Sequence, residues 1–161
     1  MFQNSQQKIL SKEDLKKKIL EWQSNGEQIV FSNGCFDILH VGHVDYLEKA
    51  RNLGDRLVMG LNTDASVSRI KGPERPIVPE FSRSRVMASL ASVDAVCFFD
   101  EETPLDLITF IKPDVLVKGD DYSIETIVGA DVVIANGGEV KTIPLVEGFS
   151  TSNIINKIKN T

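Results

Sequence analysis

The sequence predicts a doubly wound α/β domain, a parallel sheet of about five strands with helices on both faces. Three observations carry this. Short apolar runs of strand length recur along the chain: "QIVFS" (28–32), "RLVMGLN" (56–62), "DAVCFF" (94–99), "DVLVKG" (114–119) and "EVKTIPL" (139–145). Between them lie segments with helix caps and helical spacing, long enough to serve as crossovers. The apolar runs are nearly continuous rather than alternating, as suits strands buried on both faces. Right-handed crossovers then wind the helices onto both sides of the sheet.

The elements follow in order. Residues 11–24, "SKEDLKKKILEWQS", form an amphipathic helix with Ser11 as its cap and Asp14 three residues on. Leu15, Ile19 and Trp22 share one face of it, and Asn25-Gly26 ends it. Trp22 is also a candidate exposed interface residue. After the first strand, "VDYLEKARNLG" (44–54) is a helix closed by Gly54. Thr63 caps a short helix over "DASVSRI". Residues 71–79, "KGPERPIVP", carry three prolines and a glycine and predict an exposed loop. "SRSRVMASLAS" (82–92) is helical. Thr103 caps a helix with Pro104 at its first position, and Pro113 stops it. "ETIVGA" (125–130) is read as helix; "DVVIA" is either a strand or the end of that helix. "STSNIINKIKN" (150–160) is the last helix.

With 161 residues the chain suits one domain, 1–161, of which 1–26 form an N-terminal helical extension. A net charge of −5 argues against a nucleic-acid partner. Two cysteines, Cys35 and Cys97, make no disulfide framework and fit a reducing compartment. The first ten residues lack the apolar core of a signal peptide, and no run is long enough to span a bilayer. The expectation is a cytoplasmic protein with no membrane partner.

In a doubly wound sheet, ligands bind beyond the carboxyl ends of the strands. That rule gathers residues 33–43, 62–75, 118–122 and 146–152 on one rim. The dinucleotide pattern G-x-G-x-x-G and the P-loop ending G-K-[ST] are both absent, so a nucleotide on this rim needs another device. "FSNGCFDILHVGHVDYL" (31–47) supplies a candidate. It holds the only two histidines, His40 and His43, at the mouth of a helix with Gly42 between them. Gly42 lets a ligand approach the backbone, and the helix N-terminus offers N–H groups to an anion. A lone histidine is usually structural, but two in this setting favour phosphate contact. Zinc is the competing reading, since Cys35, Asp37, His40 and His43 are plausible ligand types. Their spacing is uncommon for zinc, and a structural metal is not expected.

Asp37 reads as a turn residue or as a carboxylate facing Mg²⁺ or a substrate hydroxyl. Lys71, Arg75 and Arg83 are each most simply surface charges, yet together on one rim they read as a clamp for a polyphosphate. Ser150, Thr151 and Ser152 in "EGFSTSN" cap the last helix and can also cradle phosphate.

"NGCFDILHVGH" together with "EGFSTS" resembles the nucleotidyltransferase superfamily with an H-x-G-H motif and a late Ser/Thr-rich motif, which includes cytidylyltransferases. The stretches "GLNTDASVSRIKG", "RPIVP", "PDVLVKGDDY" and "GGEV…LVEGFSTSNII" extend the resemblance from about Phe31 to Ile155 in family order. The H-x-G-H alone is weak; the ordered set is specific. "PLVEGFSTS" is similar to the D-glycero-β-D-manno-heptose 1-phosphate adenylyltransferase branch, with Leu145 where cytidylyltransferases usually carry arginine. "KGDDY" departs from it: Asp120 stands where many heptose enzymes have glycine, and cytidylyltransferases often have "GDD".

The resemblance implies a Rossmann-like nucleotidyltransferase domain that moves AMP from ATP, with Mg²⁺, onto a sugar 1-phosphate, releasing pyrophosphate and ADP-heptose for lipopolysaccharide core synthesis. His40, His43 and Lys71 would be catalytic. Asn33, Gly34, Cys35, Phe36, Gly42, Arg83, Gly119, Ser150, Thr151 and Ser152 would bind nucleotide and phosphate, Cys35 as a packing contact and not a nucleophile. Asp37, Arg75, Asp120 and Tyr122 would face substrate or metal. The family suggests a homodimer and a pathway link to a heptose kinase, on a separate chain or fused. Glycerol-3-phosphate cytidylyltransferase, FMN adenylyltransferase and a non-catalytic nucleotide-binding module remain alternatives.

Overall fold

The computed structural model describes residues 4–161. Its centre is a sheet of β1 (Ile29–Gly34), β2 (Arg56–Asn62), β3 (Ala95–Phe99), β4 (Val115–Gly119) and β5 (Glu139–Ile143). The order is β3-β2-β1-β4-β5, and every pairing is parallel. The helices are α1 (Lys12–Ser24), α2 (Val41–Arg51), α3 (Asp64–Lys71), α4 (Glu80–Ser89), α5 (Leu105–Ile111), α6 (Ala130–Ala135) and α7 (Thr151–Lys159). This is the expected α/β Rossmann-like fold.

Strand alternation divides the core in two. Phe31 and Val58 point to one face, where Leu15, Ile19 and Trp22 of α1, Leu107 and Ile111 of α5 and Val133 of α6 cover them. Val30, Leu57 and Met59 point to the other, under Leu47 and Ala50 of α2 and Met87 and Ala88 of α4. Burying one such aliphatic side chain contributes about 1.5–3 kcal/mol, so both layers are needed to hold the sheet.

Several expectations change. Trp22 is 7% exposed and belongs to the core, so it is not an exposed interface residue. Its indole also carries Arg56 at 5.2 Å, a cation–π contact available because α1 lies across the sheet. The segment "ETIVGA" is not a helix: a short 3-10 turn, Ile124–Thr126, stands there. Gly129, at φ +85°, then breaks the chain before α6, which takes up "DVVIA". Pro104 is the residue before α5 rather than its first position, with no side-chain cap. The Ser11 cap holds: Asp14 N–H donates to Ser11 Oγ at 3.1 Å. No helix among the described residues is long and apolar enough to cross a membrane.

Candidate active site

Strand order reverses between β1 and β4. The chain winds one way from β1 to β3 and the other way through β4 and β5, so the loops after β1 and β4 part and leave a crevice. A cleft of about 630 Å³ opens there. Asn33, Gly34, Cys35, Phe36, Asp37, His40, Gly42, His43, Lys71, Arg75, Gly119, Tyr122, Ser150, Thr151 and Ser152 all line it. Residues from four separated segments thus meet in one place. Arg83 and Asp120 do not line the cleft.

The two histidines form its centre. His40 is the residue before α2 and makes no side-chain cap; His43 lies one turn into the helix. Their rings stack with centroids 3.8 Å apart at 23°. Phe36 closes on His43 at 4.9 Å. The Phe36 backbone sits at φ +46°, an uncommon conformation for a residue with a bulky side chain. Gly34 permits it, since a Cβ there would lie 2.8 Å from the Phe36 ring. Gly42 is equally constrained, because its Cβ would stand 3.0 Å from the His40 ring and 3.2 Å from Phe149 Cβ. Below, Tyr46 fixes α2 to the sheet: its hydroxyl lies 2.8 Å from Ser32 Oγ and donates to Val117 O at 3.2 Å. Burial pushes the Tyr46 phenol up to about 12, so it stays neutral and serves as a brace.

Burial, with the neighbouring His40 ring, lowers His43 to about 4; burial lowers His40 as well. Both imidazoles are therefore neutral at pH 7. His40 Nδ1, His43 Nδ1 and Asn33 Oδ1 are buried with no hydrogen-bond partner. An unpaired buried polar atom costs about 1–3 kcal/mol, and buried polar groups in folded proteins are nearly all paired. Three of them in one cleft mark a place that a polar ligand completes. The N-termini of α2 and α7 both open onto the cleft and add positive potential for an anion. Ser150 accepts from Asn153 N–H at 3.0 Å, and Thr151 Oγ1 donates to Ile38 O at 3.3 Å. The Thr151 hydroxyl holds α7 against the loop after β1, and the Ser150 hydroxyl caps its first turn.

The expected clamp of Lys71, Arg75 and Arg83 is rearranged, because Arg75 pairs with Asp37 and Arg83 turns into the scaffold. Asp37 is 3% exposed, and its carboxylate accepts from Arg75 Nε at 2.6 Å, Ile77 N–H at 2.9 Å and Val78 N–H at 2.7 Å. Burial opposes its charge, but the Ile77 and Val78 amides and the Arg75 guanidinium together lower its pKa. Arg83 is 2% exposed; it donates to Val78 O at 3.0 Å, Cys35 O at 2.7 Å and Asp64 Oδ1 at 2.8 Å. Its donors serve the scaffold and not the cleft. Both residues pin the 71–79 segment to the loop after β1. Asp120 is likewise a tie, accepting from Leu145 N–H at 3.3 Å. Cys35 packs with Sγ 3.8 Å from Asn62 Oδ1, and burial pushes its thiol up, which suits an inert side chain. Lys71 ends α3 on the cleft rim.

Sequence reasoning missed Lys118 and Asp121, which line the cleft beside the sequence-predicted Tyr122, and Glu102 after β3. The strand-end rule covers them: each stands at or just past the carboxyl end of a strand. Among the described residues no three His, Cys, Asp or Glu side chains converge as a metal shell. A divalent ion here would enter with the nucleotide, its oxygens coming from phosphates and water, as magnesium commonly binds.

The structure of a lipopolysaccharide core biosynthesis protein from Thermoplasma volcanium superposes with a TM-score of 0.59 at 31% identity, over 74% of this chain and 97% of that one. Pantothenate synthetase from Thermus thermophilus superposes with a TM-score of 0.65, over 91% of this chain and 67% of that one. At 16% identity it shares the fold alone. Among curated proteins, the bifunctional protein HldE of Methylobacillus flagellatus is 56% identical over 151 residues, 94% of this chain. That of Marinomonas sp. is 55% identical over 160 residues, 98% of this chain. The chain spans about a third of these relatives, 31% and 34% of their lengths. The cytidylyltransferase-like family profile matches residues 31–157, which include the paired histidines, the 71–79 segment and the α7 N-terminus; the chain belongs to that family and is a nucleotidyltransferase domain.

Proposed function

We propose that the domain transfers AMP from ATP to D-glycero-β-D-manno-heptose 1-phosphate, giving ADP-heptose and pyrophosphate for lipopolysaccharide core synthesis. The observation that carries the reading is the trio of unpartnered polar atoms, on Asn33, His40 and His43, set between two helix N-termini. The imidazole N–H groups and the helix N-termini suit an anion that must be held in line, and the Asn33 carbonyl, an acceptor, suits a hydroxyl or amino group of the same ligand. The heptose acceptor is supported by the high identity to bifunctional HldE proteins over a third of their length, as one catalytic half would give.

The chemistry follows from the acceptor. A phosphate monoester has its second pKa near about 6, so it is largely dianionic at pH 7 and needs no general base. One of its oxygens forms a bond to the α-phosphorus of ATP. The bond from that phosphorus to the α,β-bridging oxygen breaks, and its electron pair leaves with pyrophosphate. His40 and His43 donate to the triphosphate across the breaking bond. Lys71 and the first turn of α7 hold the outer phosphates. A magnesium ion brought in with ATP would be held by the phosphates and water and would supply charge neutralisation at the leaving pyrophosphate. Catalysis is then positioning and charge neutralisation. A homodimer, a kinase that supplies the acceptor and a cytoplasmic location belong to the same proposal.

The test is pyrophosphate release with Mg²⁺, crossing ATP and CTP against heptose 1-phosphate, glycerol 3-phosphate and FMN. The reading expects release with ATP and heptose 1-phosphate alone. Release with CTP and glycerol 3-phosphate would overturn it in favour of the cytidylyltransferase signalled by "GDD" at 119–121.

A further inference from the structure

Lys118 is a cation of the cleft to which neither the sequence motifs nor the scaffold assigns a role. It is on β4, one residue before that strand ends, facing β1 across the gap where the strand order reverses. Its ammonium makes one long hydrogen bond, 3.5 Å to Asn33 O. No carboxylate lies within salt-bridge distance among the described residues, whereas the guanidiniums of Arg75 and Arg83 are both paired; Lys71, on the cleft rim, has no such partner either. The unpartnered Asn33 Oδ1 belongs to the same residue that Lys118 touches. The groups facing Lys118 are Cys35 from the loop after β1 and Asp121 and Tyr122 from the loop after β4. The Tyr122 ring lies 5.6 Å from the ammonium.

A lysine sunk into a cleft wall with two idle donors is expensive unless an anion meets it. In a doubly wound sheet the switch point is where the two substrate halves of the crevice join. A reaction that joins two substrates needs its reacting phosphate where they meet, and Lys118 stands on the wall at that point with Asn33 beside it. We infer that Lys118 contacts the non-bridging oxygens of the nucleotide's α-phosphate and is a catalytic residue, stabilising charge at the phosphorus as the acceptor attacks. This rests on the nucleotidyl-transfer reading but not on the identity of the acceptor.

Protonation supplies a signature. Burial lowers Lys118 to about 8, with Asp121 and Cys35 opposing the fall. Binding an anion favours the charged form, so nucleotide affinity must decline as pH rises past that value. Arginine keeps its charge throughout and abolishes the decline. Burial moves the Cys35 thiol upward and the Tyr46 phenol to about 12, so neither imitates the effect between pH 7 and 9.

The experiment measures the Kd of the magnesium complexes of ATP and CTP between pH 7 and 9.5 for the wild type, Lys118→Arg and Lys118→Met. For the nucleotide that binds, wild-type affinity is expected to fall several-fold, and by less than tenfold in all, between pH 8 and 9.5, and Lys118→Arg to stay flat. Lys118→Met should lose about 100-fold in kcat while its Kd at pH 7 changes by less than tenfold. Parallel pH profiles in wild type and Lys118→Arg would overturn the inference, as would a Lys118→Met enzyme within threefold of wild-type kcat. A wild type that binds neither nucleotide would overturn the functional reading itself, and the inference with it. A wild type that binds ATP but ignores heptose 1-phosphate would remove only the acceptor, since the Kd profiles still decide the role of Lys118.

Discussion

Two sets of polar residues in and beside the cleft use their hydrogen-bonding groups in opposite ways. In the 33–43 segment, His40, His43 and Asn33 keep polar atoms buried and unpartnered. In the stretch that runs through Asp37, Arg75, Ile77, Val78 and Arg83, the charged side chains are bonded to each other and to the backbone. The first set is incomplete without a ligand, and the second is already complete. The comparison teaches that charge type does not locate the chemistry of this site; unspent hydrogen-bonding capacity does. The second set holds the first in position, because Arg83 ties Cys35 O and Asp37 ties the 71–79 segment.

The largest effect expected is at His43. His43→Ala should lower kcat by about 100- to 1,000-fold while the Kd for Mg·ATP moves less than tenfold. Equal losses in kcat and affinity would make His43 a plain binding contact and blunt the contrast. Asp37→Ala should act the other way. It strands the Arg75 guanidinium and two backbone amides, so a loss of about 3 kcal/mol in unfolding free energy is expected from urea titration. An unchanged urea midpoint would break the claim that this set is scaffold.

A third variant probes the space between the histidines. Gly42→Ala puts a methyl group against the His40 ring and Phe149, and should cost about tenfold in kcat with the fold retained by circular dichroism. A fourth test uses pH. His43 is lowered to about 4 in the folded chain, against about 6.5 when unfolded. Between those values the unfolded chain binds a proton that the folded chain does not. Stability is therefore complete above pH 6.5 and declines as pH falls towards 4. Urea midpoints at pH 7 and 4.5 should converge in His43→Asn relative to the wild type. The smallest effect is at Cys35: Cys35→Ser should keep kcat within threefold, and a larger loss would assign the thiol a role its packing does not suggest.

The sheet was legible because each strand is an apolar run bounded by caps and breakers, a signal local to the chain. The region before α6 was not: "ETIVGA" has helical residue types, but Gly129 at positive φ ends that option. The cleft was legible for a related reason, since strand-end loops in this topology meet whatever their sequence. What the sequence could not show is which side chains turn inward. Arg83 reads as a rim cation, yet three acceptors 5, 19 and 48 residues away claim it. Trp22 was visible both as a face of α1 and as an exposed residue, and packing across the sheet decides for the core. Lys118 falls within the 118–122 rim segment that the strand-end rule gathers, but at the end of an apolar strand run nothing local marks its ammonium as unpaired.

His40 and His43 are the only histidines in the chain, so their imidazole NMR signals can be followed without interference. The decisive measurement is their titration with and without Mg·ATP. The account predicts that both stay neutral well below pH 6.5 in the free protein, with His43 titrating near 4, and that Mg·ATP shifts both rings and raises both pKa values. Two histidines titrating near 6.5, indifferent to Mg·ATP, would contradict it.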